Sequence, residues 1–409
     1  VILMQYVVVL RYSGELAIKS PRIKRQWEKL LLEHVRERVG SSKDIRIFHS
    51  RILVYLDDAK NLNDVEKSLM TLFGFSSISS GLEVRTGIPE IRKGIERLID
   101  EGIVKLPLKF EVYKFVKTDY RPRDLIEILE EMFTPSQQDR DEEPSTIYLE
   151  IRGEKSFLLR DVISGPGGLP FGTQDKLACL MSGGPDSTLS SWMAMRRGSP
   201  IIGVYIPLGS EKARQRAFKV AVHLFSNWTP NRSGKLYVIP IEEILDKISS
   251  IGGDRFSHVL FKRYALRIAE IIAIYEGAAG IVTGELSGEH ASQTVWNLSI
   301  ITKAINLPVY RPVFGFDKNE VILRLKEIDP QLFEIVNISV EECSRIIPKW
   351  PLTRVNPSDI KRLEKKIGFT NPKDLIKLMN DEGSVLRIKN FRIESVDNVK
   401  IPPTIHSRF

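Results

Sequence analysis

Cysteine is scarce: the 409 residues contain two, Cys179 and Cys343. Two thiols cannot build a disulfide framework, which suits a reducing compartment, and no Cys-x-x-Cys pair is present for a zinc site or an iron–sulfur cluster. The six histidines, His258 and His290 among them, form no metal-ligand spacing, so no metal held by protein ligands alone is expected and these side chains read as packing or surface groups. No run reaches the roughly 18 uninterrupted apolar residues of a membrane span. The longest apolar region, Ile268–Val282, is broken by Glu270 and Glu276. The apolar start Val1–Leu10 has no basic lead-in and runs into Arg11, so it reads as a buried strand rather than an export signal. A cytoplasmic protein with no membrane partner is the expectation. Repeats and low-complexity tracts are also missing. What is present in excess is positive charge, a net +8, which favours a polyanionic partner through phosphate contacts.

Two βα sets open the chain. The first has strands at Tyr6–Arg11 and Arg51–Leu56 around a long helix that begins at Pro21 behind Ser20. The second has strands at Ser80–Arg85, Leu108–Phe115, Thr146–Ile151 and Ser156–Leu159, with helices from Pro89 and Pro122. Two small α+β domains follow as the expectation. The Gly/Pro-rich stretch Gly165–Gly172 reads as a linker. Beyond it, apolar strands at Lys176–Met181, Ile201–Ile206, Leu236–Pro240 and Gly280–Thr283 alternate with longer helices, the pattern of a doubly wound parallel sheet. After Val355 come two charged helices and a short strand-like end.

The most informative segment is Ser182-Gly-Gly-Pro-Asp-Ser-Thr188, set between an apolar strand and a helix. Gly183 and Gly184 allow a tight turn and close approach to a phosphate. Ser182, Ser187 and Thr188 add hydroxyls, and the helix start supplies free amides and a positive dipole end. No lysine follows the glycines, so this is not the Walker loop. Asp186 would repel triphosphate unless it orders the loop or holds Mg²⁺.

This loop resembles the PP-loop of the ATP pyrophosphatases, which split ATP between its α and β phosphates and adenylate a substrate. The wider context is similar to the tRNA 4-thiouridine synthetases (tRNA uridine sulfurtransferases). Gly168–Lys176, Thr283–Thr294, Arg311–Lys318, the Glu342-Cys343 segment with Pro348 and Pro351-Leu-Thr353, and the opening Arg11–Lys19 all carry the likeness, in order, over residues 6–354. The resemblance implies a multidomain α/β and α+β protein. Its parts would be a ferredoxin-like domain over 1–74, a THUMP RNA-binding domain over 75–165, and a doubly wound parallel-sheet PP-loop domain over 173–354. Residues 355–409 are left as a helical extension of unknown role. The family is also associated with thiamine biosynthesis. No cysteine follows Cys343, so the rhodanese domain of some members is expected to be absent. Departures exist: the second motif reads Gly284-Glu-Leu-Ser-Gly-Glu-His290 where the family has Gly-Glu-Ser-Leu-Gly-Gln-Val. The opening motif has an extra serine near Ser13, and Lys262-Arg263 stands for an arginine pair.

By the same resemblance Leu180, Met181, Tyr205, Ile206, Lys262, Gly284 and Gln293 contact ATP, although Tyr205 and Ile206 read equally well as core. Lys318 can neutralise the pyrophosphate leaving group. A thiolate at Cys343 is a natural sulfane-sulfur carrier, whereas Cys179 inside the strand reads as a small buried hydrophobe. Lys109, Lys114, Lys117, Arg121 and Arg123, interleaved with Phe110, Tyr113, Phe115 and Tyr120, suit RNA phosphates and base stacking. A solvated strand face explains them almost as well.

The expected reaction uses ATP and Mg²⁺ to adenylate O4 of a tRNA uridine, by resemblance position 8, before sulfur displaces AMP. Sulfur would come from outside the chain: a cysteine desulfurase, another persulfide carrier or free sulfide. A homodimer stays open. Two rivals are a PP-loop enzyme acting on another base or with another nucleophile, and a non-catalytic RNA-binding protein with the same fold.

Overall fold

The computed structural model describes residues 4–40, 43–117, 121–133, 143–208, 210–340 and 350–408. Cys343, Glu342, Pro348, Tyr120 and residues 136–142 of the acidic stretch lie outside the described residues. No described helix is long and apolar enough to cross a membrane. The chain divides into two compact units, Val1–Pro170 and Phe171–Phe409.

The first unit runs β1 (Gln5–Tyr12), α1 (Gly14–Ala17), α2 (Pro21–Val39), β2 (Asp44–Ile47), β3 (Arg51–Leu56), α3 (Leu62–Leu69) and β4 (Phe75–Arg85). It continues through α4 (Ile88–Asp100), β5 (Leu108–Lys114), α5 (Pro122–Met132), β6 (Ser145–Arg152) and β7 (Lys155–Ser164). All seven strands lie in one sheet of order β2-β3-β1-β4-β7-β6-β5, and β5 and β6 are its parallel pair. The two βα sets therefore share a sheet, because β4 pairs with β1 on one side and β7 on the other. Strand alternation sorts β1: Tyr6, Val8 and Leu10 join a large core with residues of the helices, while Val7 and Val9 pack with Leu53, Phe157 and Leu159. The Gly/Pro stretch is not a free linker along its length. Gly165 and Gly167 donate to Ser76 and Phe75, and Ser13 Oγ donates to the Gly168 carbonyl at 2.8 Å, so the stretch closes onto the first unit up to Leu169.

In the second unit the sheet strands are β8 (Leu177–Leu180), β9 (Ile201–Tyr205), β10 (Ser233–Val238), β11 (Ile281–Val282), β12 (Val309–Tyr310), β13 (Ser384–Lys389) and β14 (Arg392–Asn398). The helices are α6 (Pro185–Arg196), α7 (Glu211–Trp228), α8 (Glu242–Lys247), α9 (Gly253–Glu276), α10 (Val295–Thr302), α11 (Lys318–Ile328), α12 (Pro330–Val336), α13 (Pro357–Ile367) and α14 (Pro372–Glu382). Strand order is β12-β11-β8-β9-β10-β13-β14. The five strands from β12 to β10 are parallel, as the alternating pattern implied. The tail departs from the helical extension expected for 355–409. After α13 and α14 it adds β13 antiparallel to β10 and then β14, and Val355, Ile360, Ile376 and Val385 enter the same core as the parallel strands. A two-strand addition with alternating exposed polar residues carries a weak sequence signal, which is why only its last part read as strand-like.

α9 is long and largely buried, with Leu260, Tyr264, Ile268 and Ile272 inside the core and its buried charged groups paired. Glu270, in the middle of that run, is tolerated because it accepts the backbone N–H groups of Asn306 and Leu307 at 2.6 and 2.9 Å. Arg263 and Arg267 converge on Glu364 of α13, tying the tail to α9 through a buried ion triad.

A second buried carboxylate yields a prediction. Glu150 on β6 accepts from Arg11 at 2.7 Å and Arg152 at 3.0 Å, and also from Arg51. Burial opposes its charge, but Arg11 and Arg51, with Arg152, outweigh that and hold the carboxyl at about 2 instead of 4.5. A carboxyl depressed on folding contributes stability above its ordinary pKa and loses it as pH falls toward the folded value. The interval from 4.5 to about 2 corresponds to roughly 3 kcal/mol. Urea unfolding of the first unit should therefore lose about that much between these two pH values in the wild type. Glu150→Gln should be less stable at neutral pH and should lack this part of the pH slope. An unchanged slope in the variant would refute the assignment.

Candidate functional site

The site forms where strand order reverses, at the carboxyl end of β8 between β9 and β11, the crevice in which open α/β sheets bind ligands. The phosphate loop leaves β8 and enters α6 there. Gly183 has φ +77°, and a Cβ on it would stand 2.6 Å from the Ala217 Cα of α7. Gly284, just past β11, is as tightly placed: its Cβ would stand 2.4 Å from the Ser187 amide nitrogen. Both positions therefore require glycine, and α6, α7 and the end of β11 meet with backbone against backbone. Gly184 is the N-cap of α6. The hydroxyls expected as phosphate donors also order the loop. Ser187 Oγ lies 3.0 Å from Ser182 Oγ and 3.2 Å from the Gly184 carbonyl, and Thr188 Oγ1 donates to that carbonyl at 2.8 Å.

Beside the loop lies a cavity of about 250 Å³. Leu180, Met181, Ser182, Asp186, Ser187, Ile206, Lys262, Gly284 and Gln293, all singled out in the sequence, line it. Tyr205 does not. Neighbouring residues of a strand face opposite ways, so Val204 and Ile206 reach the cavity while the Tyr205 ring turns to Phe218 in an edge-on contact at 6.1 Å. Gly183, Gly184 and Thr188 belong to the loop but not to the wall. Phe261, Ala265 and Leu266 complete an apolar slot that sequence reading missed. They lie on the face of α9 that carries Lys262 and were legible only as core.

Glu285 is the other residue missed. It is buried, and its carboxylate takes Lys262 at 3.3 Å, Arg311 at 2.6 Å and the Thr283 hydroxyl at 2.8 Å. Burial opposes its ionisation, but Lys262 and Arg311 keep the carboxyl below its ordinary range. Thr283-Gly-Glu285 and Arg311 were visible as motif positions; that one carboxylate holds cations from two distant segments was not. Gln293 accepts the Leu286 amide at 3.2 Å and so fixes the strand–loop turn.

Lys318 opens α11 behind Asp317, whose carboxylate accepts the Glu320 amide while Glu320 returns the bond, a capping box. This start aims Lys318 Nζ at Asp186, 2.7 and 3.0 Å from its two oxygens, and 3.4 Å from Glu289. Burial, with Glu289 alongside, raises the Asp186 carboxyl despite the pull of Lys318. Among the described residues no group of three or more His, Cys, Asp or Glu side chains is placed to hold a metal. Asp186 and Glu289 nevertheless offer oxygen donors of the kind Mg²⁺ shares with nucleotide phosphates.

Both described flanks of the Cys343 segment are pinned near this site. Arg216 on α7 donates to the Ile338 carbonyl at 3.0 Å. Asn297 and Trp296 of α10, and Thr294 at its N-cap, hold the carbonyls of Leu352, Val355 and Thr353. The other cysteine, Cys179, is fully buried in β8, and burial pushes its thiol up to about 12.

The basic residues assigned to RNA lie in the first unit. Arg121 pairs with Asp124 at 2.8 Å and Arg123 with Glu127 at 3.1 Å, both exposed, and Lys109 stands 3.8 Å from Glu111. Lys117 is exposed, and Lys114 ends β5 beside the exposed ring of Phe115, on which the Arg152 guanidinium stacks at 3.4 Å. The patch thus holds stacking surface as well as charge, with Arg121 and Arg123 partly neutralised by their own helix.

The model of the family described as Thiamine biosynthesis protein (ThiI) matches residues 172–369, and that of the ThiI ferredoxin-like domain matches residues 7–79. A probable tRNA sulfurtransferase of Thermococcus kodakarensis is 31% identical over 384 residues, 90% of this chain and 98% of the relative. The tRNA sulfurtransferase of Thermoplasma acidophilum is 29% identical over 365 residues, 88% of this chain and 73% of the relative. A solved 4-thiouridine synthetase in complex with RNA and ATP superposes with TM-score 0.78 at 27% identity, covering 94% of this chain and all (100%) of that one. The structure of PH1313 from Pyrococcus horikoshii shares the fold, with TM-score 0.57 at 21% identity over 79% of this chain and 98% of that one.

The close backbone approach at Gly284 has a measurable consequence. Gly284→Ala places a methyl group against the backbone of α6 and should displace the loop. Calorimetric titration with ATP should show at least about a tenfold loss of affinity, while far-ultraviolet circular dichroism stays that of the wild type. Undiminished affinity would mean that the close approach is not required.

Proposed function

The chain belongs to the ThiI family of tRNA sulfurtransferases, and on that premise we propose that it is an ATP-dependent tRNA sulfurtransferase that adenylates a uridine at O4 and replaces that oxygen with sulfur, giving 4-thiouridine. The carrying observation is the meeting of the phosphate loop with the Lys318–Asp186 pair at the mouth of an apolar cavity. The slot formed by Met181, Ile206 and Phe261 suits the adenine, and the loop amides and α6 start suit the phosphates.

O4 of the uracil attacks the α-phosphorus, the bond from that phosphorus to the bridging oxygen breaks, and pyrophosphate leaves with the electron pair. The N3 proton is lost to solvent or base. Lys318 lies where it can meet the charge that develops on the phosphates. Mg²⁺ held by Asp186, with Glu289 beside it, would neutralise further phosphate charge. The terminal sulfur of a persulfide then attacks C4 and AMP departs with the former O4; an external thiol attacks the carrier sulfur, breaking the S–S bond, so that the other sulfur stays on C4 and the carrier is left as a mixed disulfide that a second thiol reduces.

Cys343 is the thiol we assign to sulfur carriage, as a persulfide loaded from a desulfurase or another carrier. Its described flanks are tied to α7 and α10, the elements that bound the loop and Gln293, which supports delivery to this cavity. Cys179 is unsuited as a second thiol, being buried and hard to ionise. Release from a Cys343 disulfide therefore requires an external thiol, unless sulfide itself attacks the base. Residues 75–165 we read as the THUMP part. Together with the ferredoxin-like part it would take the tRNA, with Lys114, Lys117 and the Phe115 ring among its contacts. A cytoplasmic setting, where tRNA and reduced thiols are available, agrees with this chemistry.

The test is nucleoside mass spectrometry of tRNA incubated with the enzyme, ATP, Mg²⁺ and a persulfide donor. The wild type should form 4-thiouridine. Cys343→Ser should keep tRNA-dependent pyrophosphate release but lose thiolation at least about a hundredfold, and excess sulfide should restore part of it. Full thiolation by the variant at low sulfide would make Cys343 structural. A different thiolated base, or none, would refute the uridine O4 reading.

A further inference from the structure

Among the described residues, a cation beside the phosphate loop is left without a partner of opposite charge. Lys262 and Arg311 are held by Glu285, and Lys318 by Asp186 and Glu289. Arg216, on α7, has no carboxylate within ion-pair distance among the described residues. It directly precedes Ala217, the residue on which Gly183 is packed. Its Nη1 donates to the Ile338 carbonyl at 3.0 Å. Its Nη2 stands 3.9 Å from the point where a Cβ on Gly184 would lie, and its Nε is buried with no hydrogen-bond partner. A half-buried guanidinium with donors to spare, facing a glycine at the N-cap of α6, is arranged for an anion on that helix start.

The position relative to the cavity decides which anion. Ser182, Asp186 and Ser187 belong to the cavity wall, whereas Gly184 and Arg216 do not. A nucleotide whose base and ribose fill the cavity meets the loop first with its α-phosphate. Its outer phosphates continue over the loop turn, where Gly184 leaves room. The geometry points to Arg216 as a residue that binds the pyrophosphate half of ATP, the leaving group of the adenylation step, and not the AMP half. This rests on the adenylation reading above and adds to it a residue that no motif in the sequence marked. As the bond between the α-phosphorus and the bridging oxygen breaks, the electron pair and negative charge pass to the β-phosphate, where Arg216 stabilises them. Glycine at 184 has a second purpose on this account: a side chain there would stand between the guanidinium and the phosphates.

The competing explanation is that Arg216 only braces Ile338 against α7. Full-length Arg216→Gln separates the two, since a glutamine amide can still donate to the Ile338 carbonyl but carries no charge; Arg216→Lys keeps charge without the planar fork. Titration calorimetry with inorganic pyrophosphate and, separately, with AMP is the readout. Arg216→Gln should weaken pyrophosphate binding by roughly 10- to 100-fold and leave AMP affinity within about twofold, and Arg216→Lys should recover part of the loss. Equal weakening of AMP and pyrophosphate, or no change in either, would overturn the assignment in favour of a brace. Exchange of labelled pyrophosphate into ATP in the presence of tRNA tests the underlying reading separately. If the wild type binds pyrophosphate through Arg216 yet shows no exchange, adenylation is wrong and the role of Arg216 stands. If the wild type binds no pyrophosphate, the Arg216 assignment falls.

Discussion

The catalytic unit depends on a close approach of backbones at the sheet's switch point. Gly183 lies against Ala217 of α7, and Gly284 against Ser187 of α6, at separations where a Cβ cannot fit. These two contacts set the loop, and the loop sets the direction in which α6 presents its amide groups. The cavity, the Lys318–Asp186 pair and Arg216 are each located relative to that turn. A methyl group at either glycine would move the helix start as a body, since α6 is buried along most of its length and has no slack to absorb the shift.

Around this turn the molecule manages charge by concentrating cations on buried carboxylates. Glu285 holds two, Glu364 two and Glu150 three. Each carboxylate would be costly alone in the interior and is retained because ion pairs and hydrogen bonds saturate it. The effect on the site is specific. Glu285 fixes Lys262 and Arg311 with one positive charge left over, Lys318 is matched by Asp186 and Glu289, and Arg216 beside the loop has no carboxylate within ion-pair distance among the described residues.

The last segment has a structural task. Residues after Val355 bury α13 and α14 in the main core and extend the sheet by two strands beyond β10. Through Asn297, Trp296 and Glu364, Val355 and the segment it opens are also bonded to α10 and α9, which carry or adjoin site residues. The tail is therefore part of the scaffold that holds Lys262 and Gln293.

Sequence alone determined the two opening βα sets, the parallel strands of the second unit and the strand, Gly-Gly turn and helix of the phosphate loop. These follow from local rules: apolar periodicity, a Gly-Gly turn between strand and helix, and caps at helix starts. The family motifs singled out Leu180, Met181, Ile206, Lys262, Gly284 and Gln293, which line one cavity, and Lys318, which meets Asp186. Tertiary structure alone decided that Tyr205 faces away while Ile206 faces in, and that Glu285 gathers cations from α9 and from the turn at Arg311. It also decided that the tail is strand as well as helix, and that Arg216 faces Gly184. Each of these depends on which face of an element meets which neighbour, across separations of 23 to 132 residues for the ion pairs at the site. Periodicity places a residue on a face of its own element. Only packing, which trades buried area against paired charge over the whole unit, determines what that face touches.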